Sequence, residues 1–427
     1  MKKYYIPALL LCLLAFTACE KFSDAGDAET IEKLTKQVNV TLNSAMSNFT
    51  VENLKVKFVN YSEGLTYEKE TDGTSLNMED IIPGLYTITA SCIAYDEEGG
   101  AYYLAGSLAN KGVFPGDESL DIEMFGTKAA DLMFKEIYYS GSIDWYFRDQ
   151  FYELYNNSNK VIYLDGLYFA NLYPTKATEI LPLWESADTD NNEYGYAECV
   201  FKFPGSGTDF PLQPGESCVL AQWAANHQLE NLSPNSPVNC ENVEFEFYTG
   251  NAKYPDNYNV YNMEHVYYNG KSTVTKSQFL TSVFGGAYVI FQVPEGETYD
   301  PANNFSLQAK DLGSLYTVYC KIPIRYFIDA VEAIDNESMA AAKRVPATID
   351  AGMTWVGETY CGKGVTRKRA TDENGNYIML DNGSFSYQDT NNSTDDFDRG
   401  VIPMFRRYND EDNNAASGIP SWNPTIQ

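Results

Sequence analysis

Between residues 30 and 127, apolar and polar side chains alternate with period two. Tyr86, Ile88, Ala90 and Cys92 fall on one face of an extended segment, and Thr87, Thr89 and Ser91 on the other. Leu54, Val56 and Phe58 alternate with Lys55 and Lys57, and Leu120, Ile122 and Met124 with Asp121 and Glu123. Antiparallel strands with one buried face read this way. Pro83-Gly84 and Pro115-Gly116 are turn punctuation between them. About seven strands fit into this stretch, enough for a small β-sandwich.

From residue 128 to 427 the texture changes to Tyr, Asn and Asp with longer loops. Strands are predicted at 132–139, 151–155, 161–167, 217–221, 287–293, 316–322 and 384–389. A helix is predicted at 222–229 and a second around 337–343. The chain therefore reads as all-β: two β-sandwich domains, at 30–127 and 128–427, the second with long insertions and one or two short helices.

The first residues carry a different pattern. Lys2 and Lys3 precede an apolar run from Ile6 to Phe16, and Ala18 sits directly before Cys19. A membrane-spanning helix needs about 20 apolar residues, so this run is a signal peptide, residues 1–18. A cysteine at the first mature position is what bacterial lipoprotein processing requires. Two or more acyl chains, each buried CH2 contributing roughly 0.8 kcal/mol, anchor a protein stably. Residues 19–29 are small, polar and acidic, a tether from lipid to first domain. The expected location is the outer membrane, lipid-anchored through Cys19 and facing the cell surface, with the periplasmic face as the alternative.

The formal charge of −29 disfavours nucleic acid and anionic lipid as partners, because both need a basic footprint. Besides Cys19, Cys92, Cys199, Cys218, Cys240, Cys320 and Cys361 lie in the mature chain. They show no CxxC or CxxH spacing for zinc. Cys92 and Cys218 fall inside strand patterns, where a buried free thiol is the commoner state.

Three resemblances follow from particular residues. Pro83-Gly84-Leu85-Tyr86-Thr87-Ile88 looks like the closing strand of prealbumin-like or carboxypeptidase-regulatory-like sandwiches. Phe134-Lys135-Glu136-Ile137-Tyr138-Tyr139, then Asp149 to Asn157, then Leu164-Asp165-Gly166-Leu167, resembles the opening of lamin-tail domains. Leu212-Gln213-Pro214-Gly215-Glu216-Ser217-Cys218-Val219-Leu220-Ala221 matches that family's later turn and strand. The resemblance implies an immunoglobulin-like sandwich over about 132–225. Across most of 50–410 the chain resembles a bacterial lipoprotein family known only as domain of unknown function 4876. The likeness is carried by Val219 to His227, Gly285 to Phe291, Lys321 to Asp329 and Tyr387 to Phe397. Members look like accessory lipoproteins of outer-membrane transport systems, and the family implies no activity.

Candidate chemistry is sparse. His227 and His265 are the two histidines, far apart, and no GxSxG elbow is present, so no catalytic residue is assigned and no enzyme is expected. Asp389, Asn391, Ser393 and Asp395 fall at alternate positions, as do Asp188, Asp190 and Asn192. Such spacing lets a loop turn several oxygens to calcium, but neither loop has the glycine and distal glutamate of a complete site. No cofactor is required. Tyr248, Tyr254, Tyr258, Tyr261, Tyr267 and Tyr268 lie among Asn, Gly and Pro, the composition of binding loops. Lys363, Arg367, Lys368 and Arg369 form one dense basic cluster, read as a strand-edge guard or an internal ion-pair partner. The expectation is a non-catalytic accessory subunit held in the membrane by its lipid, beside an outer-membrane β-barrel transporter. The alternatives are a glycan- or protein-binding, adhesin-like module using the Tyr/Asn-rich loops, and, third, a hydrolase.

Overall fold

The computed structural model describes residues 32–42, 48–60, 62–95, 101–116, 119–128, 130–185, 193–272, 277–338, 341–347, 349–372, 374–414 and 416–425. Cys19, the leader, the tether and Asp188, Asp190 and Asn192 lie outside them.

The alternating stretch forms β1 (Leu34–Leu42), β2 (Thr50–Asn60), β3 (Leu65–Thr71), β4 (Ser75–Ile81), β5 (Gly84–Tyr95), β6 (Ala101–Val113) and β7 (Ser119–Lys128). Their order is β3-β2-β5-β6-β7-β1-β4. β7 serves two sheets. Residues 119–124 pair in parallel with β1, and 125–128 pair antiparallel with β6. The ribbon therefore folds over, and Val38, Val56, Phe58, Ile88, Leu104 and Ile122 meet in one core. Each such side chain contributes about 1.5–3 kcal/mol on burial. The opposite faces carry Lys and Glu, with Lys55 bridging Glu68 at 3.0 Å.

The rest of the chain contains β8 (Leu132–Tyr138), β9 (Phe151–Asn156), β10 (Ile162–Tyr163), β11 (Tyr168–Leu172), β12 (Tyr194–Lys202), β13 (Pro211–Leu212), β14 (Ser217–Ala221), β15 (Phe245–Glu246) and β16 (Tyr261–Asn262). It continues with β17 (Glu264–Tyr268), β18 (Ala287–Phe291), β19 (Gln308–Asp311), β20 (Ser314–Pro323), β21 (Phe327–Ile334), β22 (Thr354–Trp355), β23 (Gly364–Arg367) and β24 (Phe397–Val401). One sheet runs β16-β15-β14-β9-β8-β23-β24, the other β19-β20-β12-β11-β18-β21-β22 with β17 beside β12. Their facing sides supply Phe134, Ile137, Tyr152, Leu220, Phe169, Phe201, Ile290 and Val331 to a shared core. The fold is all-β, as the sequence predicts.

β8 and β9 are buried along their whole length, because loops and a C-terminal strap after β24, residues 402–414, cover the outer face of their sheet. Their charged residues are consequently partnered. Lys135 lies 3.2 Å from Glu153, and Glu136 lies 3.1 Å from Arg407 of the strap. Glu244 accepts from Arg406 and Asn423. Burial pushes Glu136 up to about 7.

Several predicted elements are corrected. Residues 222–229 are turns and bends rather than helix. Their backbone donors go elsewhere: Ala224 N–H to Glu246 Oε2, Ala225 N–H to Trp223 O. Residues 337–343 show no helix in their described part. Asn336 accepts from the Ser338 backbone and hydroxyl, an Asx turn that competes with a helical one, and Ala342 N–H donates to Thr178 O. Of 161–167 only Ile162–Tyr163 is strand, since Gly166 turns the chain at φ 76°. In 384–389 only single bridges form, Phe385 with Met379 and Tyr387 with Arg369.

Candidate functional site: an aromatic loop end

Four loops meet at one end of the larger sandwich: β8–β9, β14–β15, β15–β16 and β22–β23. Main-chain bonds hold them together. Tyr360 N–H donates to Ser140 O at 2.6 Å and Gly362 N–H to Gly141 O at 2.8 Å, and within the β14–β15 loop Cys240 N–H donates to Ala225 O at 3.0 Å. Side chains add to this, with Ser142 Oγ 2.9 Å from Ser233 Oγ and Ser236 Oγ donating to Asp149 at 2.6 Å.

The β8–β9 loop closes a tight turn in which Ser142 N–H donates to Tyr146 O at 2.7 Å. Gly141 opens it at φ 72°, and a Cβ there would stand 2.5 Å from Tyr146 O. The turn leaves Trp145 in the left-handed region, φ 60°, with 76% of its surface exposed. Tyr360, from the β22–β23 loop, is also left-handed, φ 53°. The two rings pack at 4.8 Å between centroids, and Phe147 meets Tyr360 edge-on at 6.3 Å. Bulky residues rarely adopt this backbone region, and such strain collects at clamps and binding sites.

The aromatic surface continues. Arg148 lies over Phe147 and Tyr254, 5.2 and 4.9 Å from their centroids. Tyr254 meets Trp223 edge-on at 5.5 Å, and Trp223 Nε1–H donates to Pro255 O. Glu246 fastens the β14–β15 and β15–β16 loops, accepting from Ala224 N–H and Asn257 N–H at 2.8 Å each. Burial raises its carboxyl to about 7. Between Trp223, Tyr248 and Tyr254 is a cleft enclosing about 10 Å3, room for a single water. A ligand would lie across the rims, not inside.

His227 is buried under this end. Its Nδ1 faces Tyr146 Oη at 2.8 Å and its Nε2 faces Trp223 O at 3.0 Å. Burial lowers its pKa to about 4. At neutral pH the ring is uncharged, with Nε2–H donating and Nδ1 accepting, so it staples two loops.

The six predicted tyrosines are divided. Tyr248, Tyr254 and Tyr258 belong to the loop end, Tyr258 with 92% of its surface exposed. Tyr261 packs on Phe210 and Trp422, Tyr267 is buried and donates to Val318 O, and Tyr268 is half-buried on β17. Trp145, Phe147, Trp223 and Tyr360 are the aromatics that sequence reasoning missed. The run Ser142-Ile143-Asp144-Trp145-Tyr146-Phe147 between two strands was the available signal for the first two.

The predicted calcium loop is turned inward. Asp389 Oδ1 is 3.1 Å from Arg367, and its Oδ2 accepts from Ala130 N–H. Asn391 donates to Tyr103 O, Ser393 to Asp350, and Asp395 accepts from Asn392. Arg367, from the predicted basic cluster, is the cation of this region. Its guanidinium also meets Asp329 at 3.0 Å and Asp396 at 3.4 Å. Burial, opposed by Arg367 and reinforced by Asp389, holds Asp329 and Asp396 above the ordinary carboxylate range. The space among them admits no water-sized atom. Among the described residues no group of three His, Cys, Asp or Glu is arranged to hold a metal. The six described cysteines are unbridged, five of them buried.

The family model described as "Protein of unknown function (DUF4876)" matches residues 213–404. The crystal structure of a DUF4876 family protein from Bacteroides thetaiotaomicron VPI-5482 is similar to this chain at 50% sequence identity. The match covers 92% of this chain and 100% of that one, with a TM-score of 0.66. No curated protein matches. Half the residues identical over nearly the whole length decides the relationship: the chain belongs to the DUF4876 family.

Proposed function

We propose that the protein is a lipid-anchored, non-catalytic binding subunit of the cell envelope, serving beside an outer-membrane β-barrel transporter. The observation that carries the binding role is the loop end with Trp145 exposed on a rigid, strained turn. A side chain held there costs stability and leaves most of its apolar surface in water, a combination found at binding sites. The second region's strands β8, β9 and β14, neighbours in one sheet, suit the lamin-tail-like reading of residues 132–225. Support for a non-catalytic role comes from His227, with both ring nitrogens engaged, and from carboxylates closed onto Arg367. Anchorage rests on the Leu13-Leu14-Ala15-Phe16-Thr17-Ala18-Cys19 sequence alone.

The test is palmitate labelling and affinity purification of the full chain from gently solubilised outer membranes. The proposal expects acylation that Cys19→Ser abolishes, and co-purification of a β-barrel receptor. Label that persists in Cys19→Ser, or preparations with no envelope protein retained, would overturn it.

A further inference from the structure

From the geometry at Trp145 we infer that the loop end captures a neutral carbohydrate chain. This rests on reading that end as the binding surface and adds the ligand class. A pyranose ring offers two kinds of surface: a flat C–H face, and hydroxyls in the plane of the ring. The first needs an exposed aromatic ring, and Trp145 and Tyr360 present a pair 4.8 Å apart, inclined at 49°. The second needs an acceptor and a donor side by side. Asp144 and Asn235 supply both, Asn235 Nδ2 donating to Asp144 Oδ2 at 2.8 Å on the exposed surface beside Trp145.

Rigidity favours such a ligand. Sugars gain little from each contact, so a site must not spend binding energy on ordering itself. Here the turn is closed by Ser142 and Tyr146, locked by Gly141, and tied to the Tyr360 loop by two main-chain bonds. Trp and Tyr add large contact area at small entropic loss. The absence of room in the nearby cleft agrees with a polymer lying across the surface and not with a small molecule enclosed in it. Charge selects among polymers. The chain carries −29, and Asp144 stands next to Trp145 while Arg148 is stacked on Phe147 and Tyr254, so uronate- or sulfate-bearing chains are disfavoured at the Trp145 end.

Native gels cast with soluble starch, laminarin, xylan or yeast mannan, run on the mature lipidated protein in detergent, test this. Retardation by at least one polymer is expected. Trp145→Ala should weaken it more than about tenfold, the effect of removing a central aromatic anchor. Tyr360→Ala should weaken it as well, and about 0.5 M salt should leave it unchanged, since no ion pair is involved. Melting temperatures of both variants are measured alongside, and Trp145→Ala, at an exposed site, should melt with the wild type. Retardation in none of the four gels, or retention of full affinity in Trp145→Ala, would each overturn the carbohydrate assignment. A β-barrel still co-purifying in that case would leave the subunit role standing, so the two proposals fail separately.

Discussion

Arg367→Met should be among the most damaging single substitutions in the chain. The guanidinium is buried and spends its donors on Asp329, Asp389 and Asp396 and on the carbonyls of Phe134 and Gln388. Methionine fills similar volume but leaves three buried carboxyls without a cation. Breaking a buried ion pair from one side costs about 3–5 kcal/mol, and orphaned carbonyls add about 1–3 kcal/mol each. A loss near 5 kcal/mol is the working figure. Unfolding entropy of about 2.1 cal/mol/K per residue over roughly 300 residues converts it to a fall of about 8 °C. The pH dependence has a definite sign. Asp329 and Asp396 are already raised in the fold, so they keep protons that the unfolded chain releases near pH 3.9. Stability from such groups is fully present below that value and is lost as pH rises through the folded pKa. Without Arg367 their pKa values rise further, so the deficit should shrink between about pH 8 and pH 5.5. Asp329→Asn and Asp396→Asn added to Arg367→Met should recover at least half of it. Thermal scans at the two pH values are the assay. A variant melting within about 2 °C of wild type at pH 8, or a deficit larger at pH 5.5, would refute the reasoning.

Other outcomes follow from the same structure. Gly141→Ala should cost well over about 1 kcal/mol, because φ 72° and a 2.5 Å approach to Tyr146 O leave no room for a methyl; urea titration reads it. His227 should stay neutral down to about pH 5, its pKa being depressed to about 4; NMR titration of its ring protons checks this. Folded-state depression of this kind stabilises above the unfolded value near 6.5 and is lost as pH falls through 4, so His227→Asn should lose that component of acid sensitivity. Calcium added to chelator-treated protein should shift the melting temperature by less than about 1 °C, given how Asp389 and Asp395 are engaged; a saturable rise of several degrees would show a site.

How legible each part was depends on how many faces of a strand meet water. In β5 one face is solvated, so Tyr86, Ile88, Ala90 and Cys92 alternate with polar residues and the strand can be read directly. β8 is covered on both faces, and its Lys135 and Glu136 are buried against partners from the distant C-terminal strap. Alternation is lost there, although the run from Leu132 to Tyr139 is still predicted as a strand. The helix expected at 222–229 failed because side chains of Glu246 and Gln150, remote in sequence, take the local polar groups. The site was legible only in part. Tyr254 and Tyr258 lie where a Tyr/Asn-rich stretch suggested, whereas the Trp145–Tyr360 pair comes from two loops that only the folded sheet brings together. Nothing along the chain separates the buried Tyr267 from the exposed Tyr258.

Photo-crosslinking on intact cells puts the binding surface to its most direct test. A benzophenone amino acid is placed singly at Trp145, at Tyr258 and at Tyr316, the last being 95% exposed on β20 of the opposite sheet. The loop-end account predicts covalent adducts with an envelope component from positions 145 and 258 and none from 316. Adducts from 316 alone, or equal yields from all three positions, would contradict it.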